Sequence, residues 1–162
     1  LNNFNNMNDS YYMEIAIEQA KKAQRNDEVP VGAVIVRNDE VLSVGYNKVI
    51  ELLDPTAHAE IIAIKKAAQK ICNYRLVNCN LYVTLEPCLM CAGSIIQSRI
   101  SNLIFGAYDP KSGVVESNLK VFENPILNHH THTKGGVLLD KSSKLLKDFF
   151  ASKRSIKKLI KS

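Results

Sequence analysis

The run 81-LYVTLEPCLMCAG-93 leaves few folds open to this chain. LYVTL is β-rich and apolar on both faces, as expected of a strand buried between helix layers. Pro87 suits the first position of a helix, and CLMCAGSIIQSR reads as a short helix starting there. Cys88 and Cys91 then lie in its first turn, where a helix N-terminus favours thiolate over thiol.

The remaining elements fit around that strand-to-helix switch. Asp9 or Ser10 is expected to cap a first helix running to about Asn26, with Met13, Ala16, Ile17, Ala20 and Ala23 as its apolar stripe. PVGAVIV and VLSVGYN flank the turn RNDE as a hairpin. Asp54-Pro55-Thr56 is expected to open the next helix, AHAEIIAIKKAAQK, with Asp54 as cap and Ile61, Ile64, Ala68 and Ile71 buried. NLIFGA and GVLLD read as two more strands. Residues 109–135 are a functional loop with a helical turn near Leu119–Phe122, and Lys141–Ile160 is a long final helix. This order predicts an α/β fold of three layers, with helices on both faces of a mixed five-stranded sheet. Residues 9–162 form one domain, and residues 1–8 are read as a disordered polar leader in which Met7 could be the natural start. LNNFNNMNDS lacks the basic start and apolar stretch of a signal peptide, and no apolar run nears the ~18 residues that span a bilayer. Cytoplasm is the expected location, with no membrane partner.

Cys88 and Cys91 alone admit three readings: a metal clip, a redox pair, or two small core residues. The string 57-AHAE-60 separates them. Two Cys and one His hold zinc with a fourth position open, which is the catalytic arrangement rather than the closed structural one. His58 can be the third ligand. Glu60, two residues on and not a ligand, can reach a zinc-activated water and take its proton. In a regular helix residues i and i+2 point about 200° apart, so His58 and Glu60 converge only at an irregular helix entrance. Cys79, Cys72 or one of His129, His130 and His132 would be the fourth ligand of a structural site. Cys79 alternates with Leu81 and Val83, and Cys72 follows Ile71, so both read as small buried hydrophobes.

Charge adds a second signal. Residues 141–162 carry eight Lys/Arg against one acid, Asp148, for +7, while the rest of the chain holds 13 against 15, for −2. A near-neutral body with a basic end suits an anionic partner, nucleic acid first, although a Lys-rich helix is often only solvated.

H-A-E with P-C-x-x-C is the signature of zinc-dependent nucleobase deaminases. With EVPVGAV (28–34), GYN (45–47), DPTAHAE (54–60), NYRL (73–76), FGAYDPKSG (105–113) and DFF (148–150), the chain resembles the bacterial tRNA adenosine deaminase family from about residue 11 to 155. The resemblance implies a cytidine-deaminase-like fold, a homodimer, one zinc per subunit, and conversion of adenosine to inosine at the wobble position of a tRNA anticodon stem-loop. It implies that His58, Cys88 and Cys91 hold zinc and that Glu60 shuttles protons. Asn47 would bind the flipped base, with Ala59, Val29 and Pro30 closing the pocket and Asp109 meeting the ribose. Lys111, Asn128, His129, Phe149 and Arg154 would lie near the RNA. Tyr108 stands where the family often has Arg, which bears on a phosphate contact and not on the chemistry.

Two other functions compete. A deaminase of free cytosine, guanine or deoxycytidylate would use the same zinc chemistry but has no need of the basic helix, Phe149 or the 109–135 loop. A non-catalytic RNA-binding subunit with structural zinc would be expected to lack Glu60.

Overall fold

The computed structural model describes residues 6–161. In chain order the elements are α1 (Asn6–Arg25), β1 (Gly32–Arg37), β2 (Glu40–Tyr46), α2 (Val49–Leu52), α3 (Ala59–Ile71), β3 (Asn80–Leu85), α4 (Leu89–Gln97), β4 (Asn102–Ala107), a 3-10 turn (Val121–Glu123), β5 (His132–Lys134) and α5 (Leu139–Lys161). The strands form one sheet in the order β2-β1-β3-β4-β5. β1 is antiparallel to β2 and β3, while β3, β4 and β5 run parallel, so β1 alone runs against the other four.

The hairpin follows from its turn. Asn38 and Asp39 both have positive φ, 52° and 60°, and Arg37 pairs with Glu40. Two left-handed residues between paired strands match the right-handed twist of the ribbon, and Asn and Asp tolerate that conformation best after Gly. Alternation along β1 then sorts the core into two layers. Ala33 and Ile35 face a cluster with Ala59, Ala63, Ala67, Ala92, Ile95, Leu81, Val83, Leu103 and Phe105. Val34 and Val36 face Tyr12, Met13, Ala16, Ile17, Tyr82 and Ile104 on the other side. Helices α3 and α4 thus cover one face and α1 the other, with α5 packed beside α1 and β4. Gly45 allows β2 to touch the start of α3, since a Cβ there would lie 2.4 Å from the Ala59 carbonyl oxygen.

Several expected boundaries move. Helix α1 begins at Asn6, so Asp9 lies inside its first turn. There Asp9 is buried, accepting from Tyr82 Oη at 3.0 Å and from Lys134 Nζ at 2.7 Å. Of the expected disordered leader 1–8, residues 6–8 belong to α1 instead, and residues 1–5 lie outside the described residues. Asp54 caps no helix; its carboxylate closes a local turn onto Thr56 N–H and Oγ1, and α3 starts three residues later, at Ala59. The buried face of α3 is Ala59, Glu60, Ile61, Ala63 and Ala67, with Ile64, Ala68 and Ile71 only half-buried. Small residues face the sheet because the helix sits close to it. Cys79 is buried as expected, but Cys72 is exposed, because the chain turns left-handed there (φ 53°) to end α3. The last strand is His132–Lys134 rather than GVLLD. Gly136 (φ 84°) and Leu138 (φ 52°) turn the chain into α5 instead. The helical turn in the long loop lies at Val121–Glu123.

Candidate active site

Strands β2, β3 and β4 end at one edge of the sheet, and the chain leaving each of them contributes to one hollow of about 530 Å³. A crevice beyond the carboxyl ends of parallel strands is where α/β sheets bind ligands. Asn47 follows β2, Glu86 and Cys88 follow β3, and Asp109 follows β4; all four line the hollow with His58 and Glu60.

His58 is the N-cap of α3 and Cys88 the N-cap of α4, both extended, and neither side chain caps its own helix. That frees both side chains to converge. His58 Nδ1 lies 3.7 Å from Cys88 Sγ and 3.6 Å from Cys91 Sγ, and all three ligand atoms fall within 4.8 Å of one another. Tetrahedral zinc with bonds of about 2.3 Å to sulfur and 2.0–2.1 Å to nitrogen requires S···N edges of about 3.6 Å. The triad fits zinc as it stands. Among the described residues no fourth His, Cys, Asp or Glu joins this cluster, so the set leaves one position open. Cys79 and Cys72 stay apart from it.

The irregular entrance that His58 and Glu60 require is present. His58 has extended backbone (φ −74°, ψ 155°) and Glu60 is already helical, so both turn inward. Asn47 secures that entrance: its Oδ1 accepts from Ala59 N–H at 2.8 Å. Glu60 is 4% exposed, and burial pushes its carboxyl up to about 7. A carboxyl group poised near neutrality suits proton transfer in either direction. The Cys91 thiol, together with the His58 ring and against the cost of burial, holds Cys88 down to about 4, and sharing that proton pushes Cys91 up. His58 is raised by its contact with Cys88. A bound metal would displace the proton that the two sulfurs share, since metal-bound Cys is deprotonated.

Val29, Val31, Leu85 and Phe149 give the hollow apolar walls. Phe149 is buried, stands edge-on to Phe150, and carries Lys153 Nζ 5.4 Å from its ring centroid. Pro30 and Ala59 are buried, and neither is among the lining residues. Asp109 accepts from Lys111 N–H and Ser112 N–H through Oδ1, and Lys111 lines a smaller hollow next door with Tyr108, Leu146 and Phe150. Asn128, His129 and Arg154 are not among the lining residues. His129 lies with Arg75 and Arg99 around a separate hollow, its Nε2 2.7 Å from the Ile100 carbonyl oxygen, and the Asn128 carbonyl oxygen accepts from Arg99. Arg154 is exposed on α5.

Sequence reasoning passed over Asp27, Glu28, Glu86 and Lys153. Lys153 pairs with Asp27 at the rim. Glu28 is 2% exposed, and its Oε1 accepts from Ile50 N–H at 2.7 Å and Glu51 N–H at 2.8 Å, fixing the start of α2. Glu86 stands beside Pro87 just past β3, and Glu28 lies two residues before Pro30, just ahead of β1; both flank an apolar strand. An acid there must be partnered, and that is the one signal that could have found them.

The family model for the cytidine and deoxycytidylate deaminase zinc-binding region matches residues 6–107. The tRNA-specific adenosine deaminase of Haemophilus influenzae is 47% identical over 94% of this chain and 89% of its own length. That of Aquifex aeolicus is 44% identical over 92% of this chain and 98% of its own. Among solved structures, one from a study of A-to-I editing by tRNA:A34 deaminases at the wobble position superposes with a TM-score of 0.82. It is 43% identical and covers 84% of this chain and 99% of that one. A guanine deaminase from Nitrosomonas europaea shares the fold at 22% identity, with a TM-score of 0.72 over 88% of this chain and 84% of that one.

Proposed function

The chain belongs to the cytidine and deoxycytidylate deaminase zinc-binding family, and from that premise we propose that it hydrolyses adenosine to inosine at the wobble position of a tRNA anticodon. The observation that carries this reading is Glu60, buried beside the His58–Cys88–Cys91 triad at a hollow flanked by Phe149. A base can be held there with its reacting carbon next to a proton carrier.

When bound, zinc lowers the pKa of water from ~15.7 to roughly 7, so the nucleophile exists at neutral pH. Glu60 accepts the proton released at its carboxylate and delivers it to the departing amino nitrogen, so adenosine and water give inosine and ammonia. Asn47 holds the entrance to α3 and so the position of Glu60, and its amide can also meet the base edge. Val29, Val31, Leu85 and Phe149 exclude bulk water around the base. Extracting a base from its stack costs a few kcal/mol, least in a single-stranded loop, which favours an anticodon loop over duplex.

In this reading Asp109 meets the ribose and Lys111 a phosphate of the same strand. Arg154 and the lysines of α5 supply sequence-independent phosphate contacts. The working unit is a homodimer of single-domain subunits. Its support is the exposed apolar start of α4, where Leu89 is 57% exposed and Met90 36%, whereas Ile95 belongs to the core. Among the described residues no helix is long and apolar enough to cross a membrane, and tRNA as substrate favours the cytoplasm. The partners Asn128 and His129 would meet lie outside the hollow of their own subunit, on RNA that extends beyond it.

The test is to incubate zinc-loaded protein with total bacterial tRNA and, separately, with free adenosine, cytosine, guanine and deoxycytidylate. Inosine is expected in tRNA alone. Ammonia released from a free base at a comparable rate would replace this reading with a small-molecule deaminase.

A further inference from the structure

Glu86 is 2% exposed and lies between β3 and the ligand Cys88. Among the described residues no lysine or arginine forms an ion pair with it. Its charge is met instead by one loop. Oε1 accepts from the consecutive N–H groups of Val115 at 3.1 Å, Glu116 at 2.8 Å and Ser117 at 2.9 Å. Oε2 accepts from Asp109 N–H at 2.9 Å and from the Ser117 hydroxyl. Burial alone would raise this carboxyl, but these donors outweigh it and hold the group below the usual range. Successive N–H groups wrapped on an anion form the kind of nest that other folds use for phosphate. Here the anion belongs to the protein. The fit is tight: a Cβ on Gly113 would lie 2.4 Å from the Glu86 carboxyl carbon and 2.7 Å from the Asp109 carbonyl oxygen.

We propose that Glu86 is a positioning residue for the RNA. Its carboxylate shapes the 109–117 loop and thereby sets where Asp109 and Ser112 stand at the mouth of the hollow and Lys111 beside it. The consequence passes along a short chain of contacts. The Glu86 carboxylate holds Asp109 N–H, and the Asp109 carboxylate in turn holds the N–H groups of Lys111 and Ser112 at 3.0 and 3.1 Å. Glu86 touches no reacting atom, so its loss acts on substrate affinity before it acts on chemistry. The inference rests on the proposed tRNA activity, since it is an RNA strand that these mouth residues would meet.

Glu86→Gln isolates the effect. The glutamine carbonyl can satisfy Val115, Glu116 and Ser117, and its NH₂ can donate to the Ser117 hydroxyl. Asp109 N–H then faces a donor and loses its partner. Orphaning one buried donor changes an equilibrium by roughly five- to a hundred-fold. For Glu86→Gln acting on an anticodon stem-loop, KM should rise by roughly that factor, with kcat within about two-fold and one zinc per chain retained. Amide hydrogen exchange should speed up at Asp109 while Val115, Glu116 and Ser117 stay protected. Gly113→Ala, which crowds the same carboxylate from the loop side, should reproduce the KM rise and carries the test if Glu86→Gln fails to fold. The proposal is overturned if kcat falls while KM is unchanged, if zinc is lost, or if exchange at Asp109 does not move. Failure of the wild-type protein to deaminate the stem-loop would sink the tRNA reading instead, and the exchange pattern would still decide whether Glu86 holds Asp109.

Discussion

Glu60 and Glu86 are both withdrawn from solvent, 4% and 2% exposed, and both border the same hollow, yet their surroundings treat them in opposite ways. Around Glu60, burial dominates and its carboxyl is pushed up to about 7. Around Glu86, burial is outweighed by backbone N–H groups and the Ser117 hydroxyl, and the group stays a carboxylate. Both sites cost the chain desolvation. Around Glu60 that cost is only partly offset, which gains a proton carrier; around Glu86 it is outweighed, which gains a fixed loop. Sequence type says nothing of this difference, which is set by how many donors point at each carboxylate.

The sharpest break in the comparison would come from the metal. Cys88→Ala, beside both glutamates, should lose zinc, read by metal analysis, and with it all turnover. Stoichiometric zinc in that variant would return Cys79 as a ligand. Next comes Glu60→Ala, expected to keep zinc and lower kcat by roughly 10²–10⁴, the usual share of a general acid–base group. Retained turnover would remove Glu60 from the reaction. The same variant should leave stability unchanged or improved in denaturant unfolding, because it removes a poorly solvated carboxyl. Glu86→Ala should do the reverse. Several buried N–H groups lose their acceptor, which should cost about 2–4 kcal/mol in the same measurement. Equal stability of the two variants would mean that the fold holds both carboxyls alike. The smallest effect concerns the rim. Deleting residues 153–162 removes Arg154 and the Lys153–Asp27 pair. It should lower the log–log salt slope of RNA binding by roughly 0.7–0.9 for each phosphate the shortened helix no longer neutralises. An unchanged slope would make the basic end a solvated face.

The chemistry was legible because it is written in short strings. His58, Cys88 and Cys91 come together since each sits at or next to a helix start, and helix starts are marked locally by turn residues and proline. The hairpin was legible for the same reason, with Asn38-Asp39 at its turn. What sequence could not supply depends on distant partners. GVLLD has strand composition, but β5 forms at His132–Lys134 because Asn102, Leu103 and Ile104 of β4 pair there, and the chain then turns left-handed at Leu138. Asp54 looked like a cap and instead closed its own turn, while the true N-cap, His58, spends its side chain elsewhere. Cys72 looked buried beside Ile71 until the left-handed end of α3 turned it outward. Glu86 stood in plain view before Pro87, but its role depends on a loop about thirty residues on.

The lone reversed strand, β1, has a practical consequence for anyone handling this protein. The tip joining β1 to β2 falls at the start of the other strands, whereas the hollow lies beyond their far ends. Six residues of strand, about 20 Å, separate the two. Asn38 and Asp39 are exposed there, and Tyr12 Oη ties the turn to α1 by donating to the Asp39 carbonyl oxygen. A fluorophore, affinity tag or fused partner attached at that tip would stand a strand's length from the hollow where the base is held.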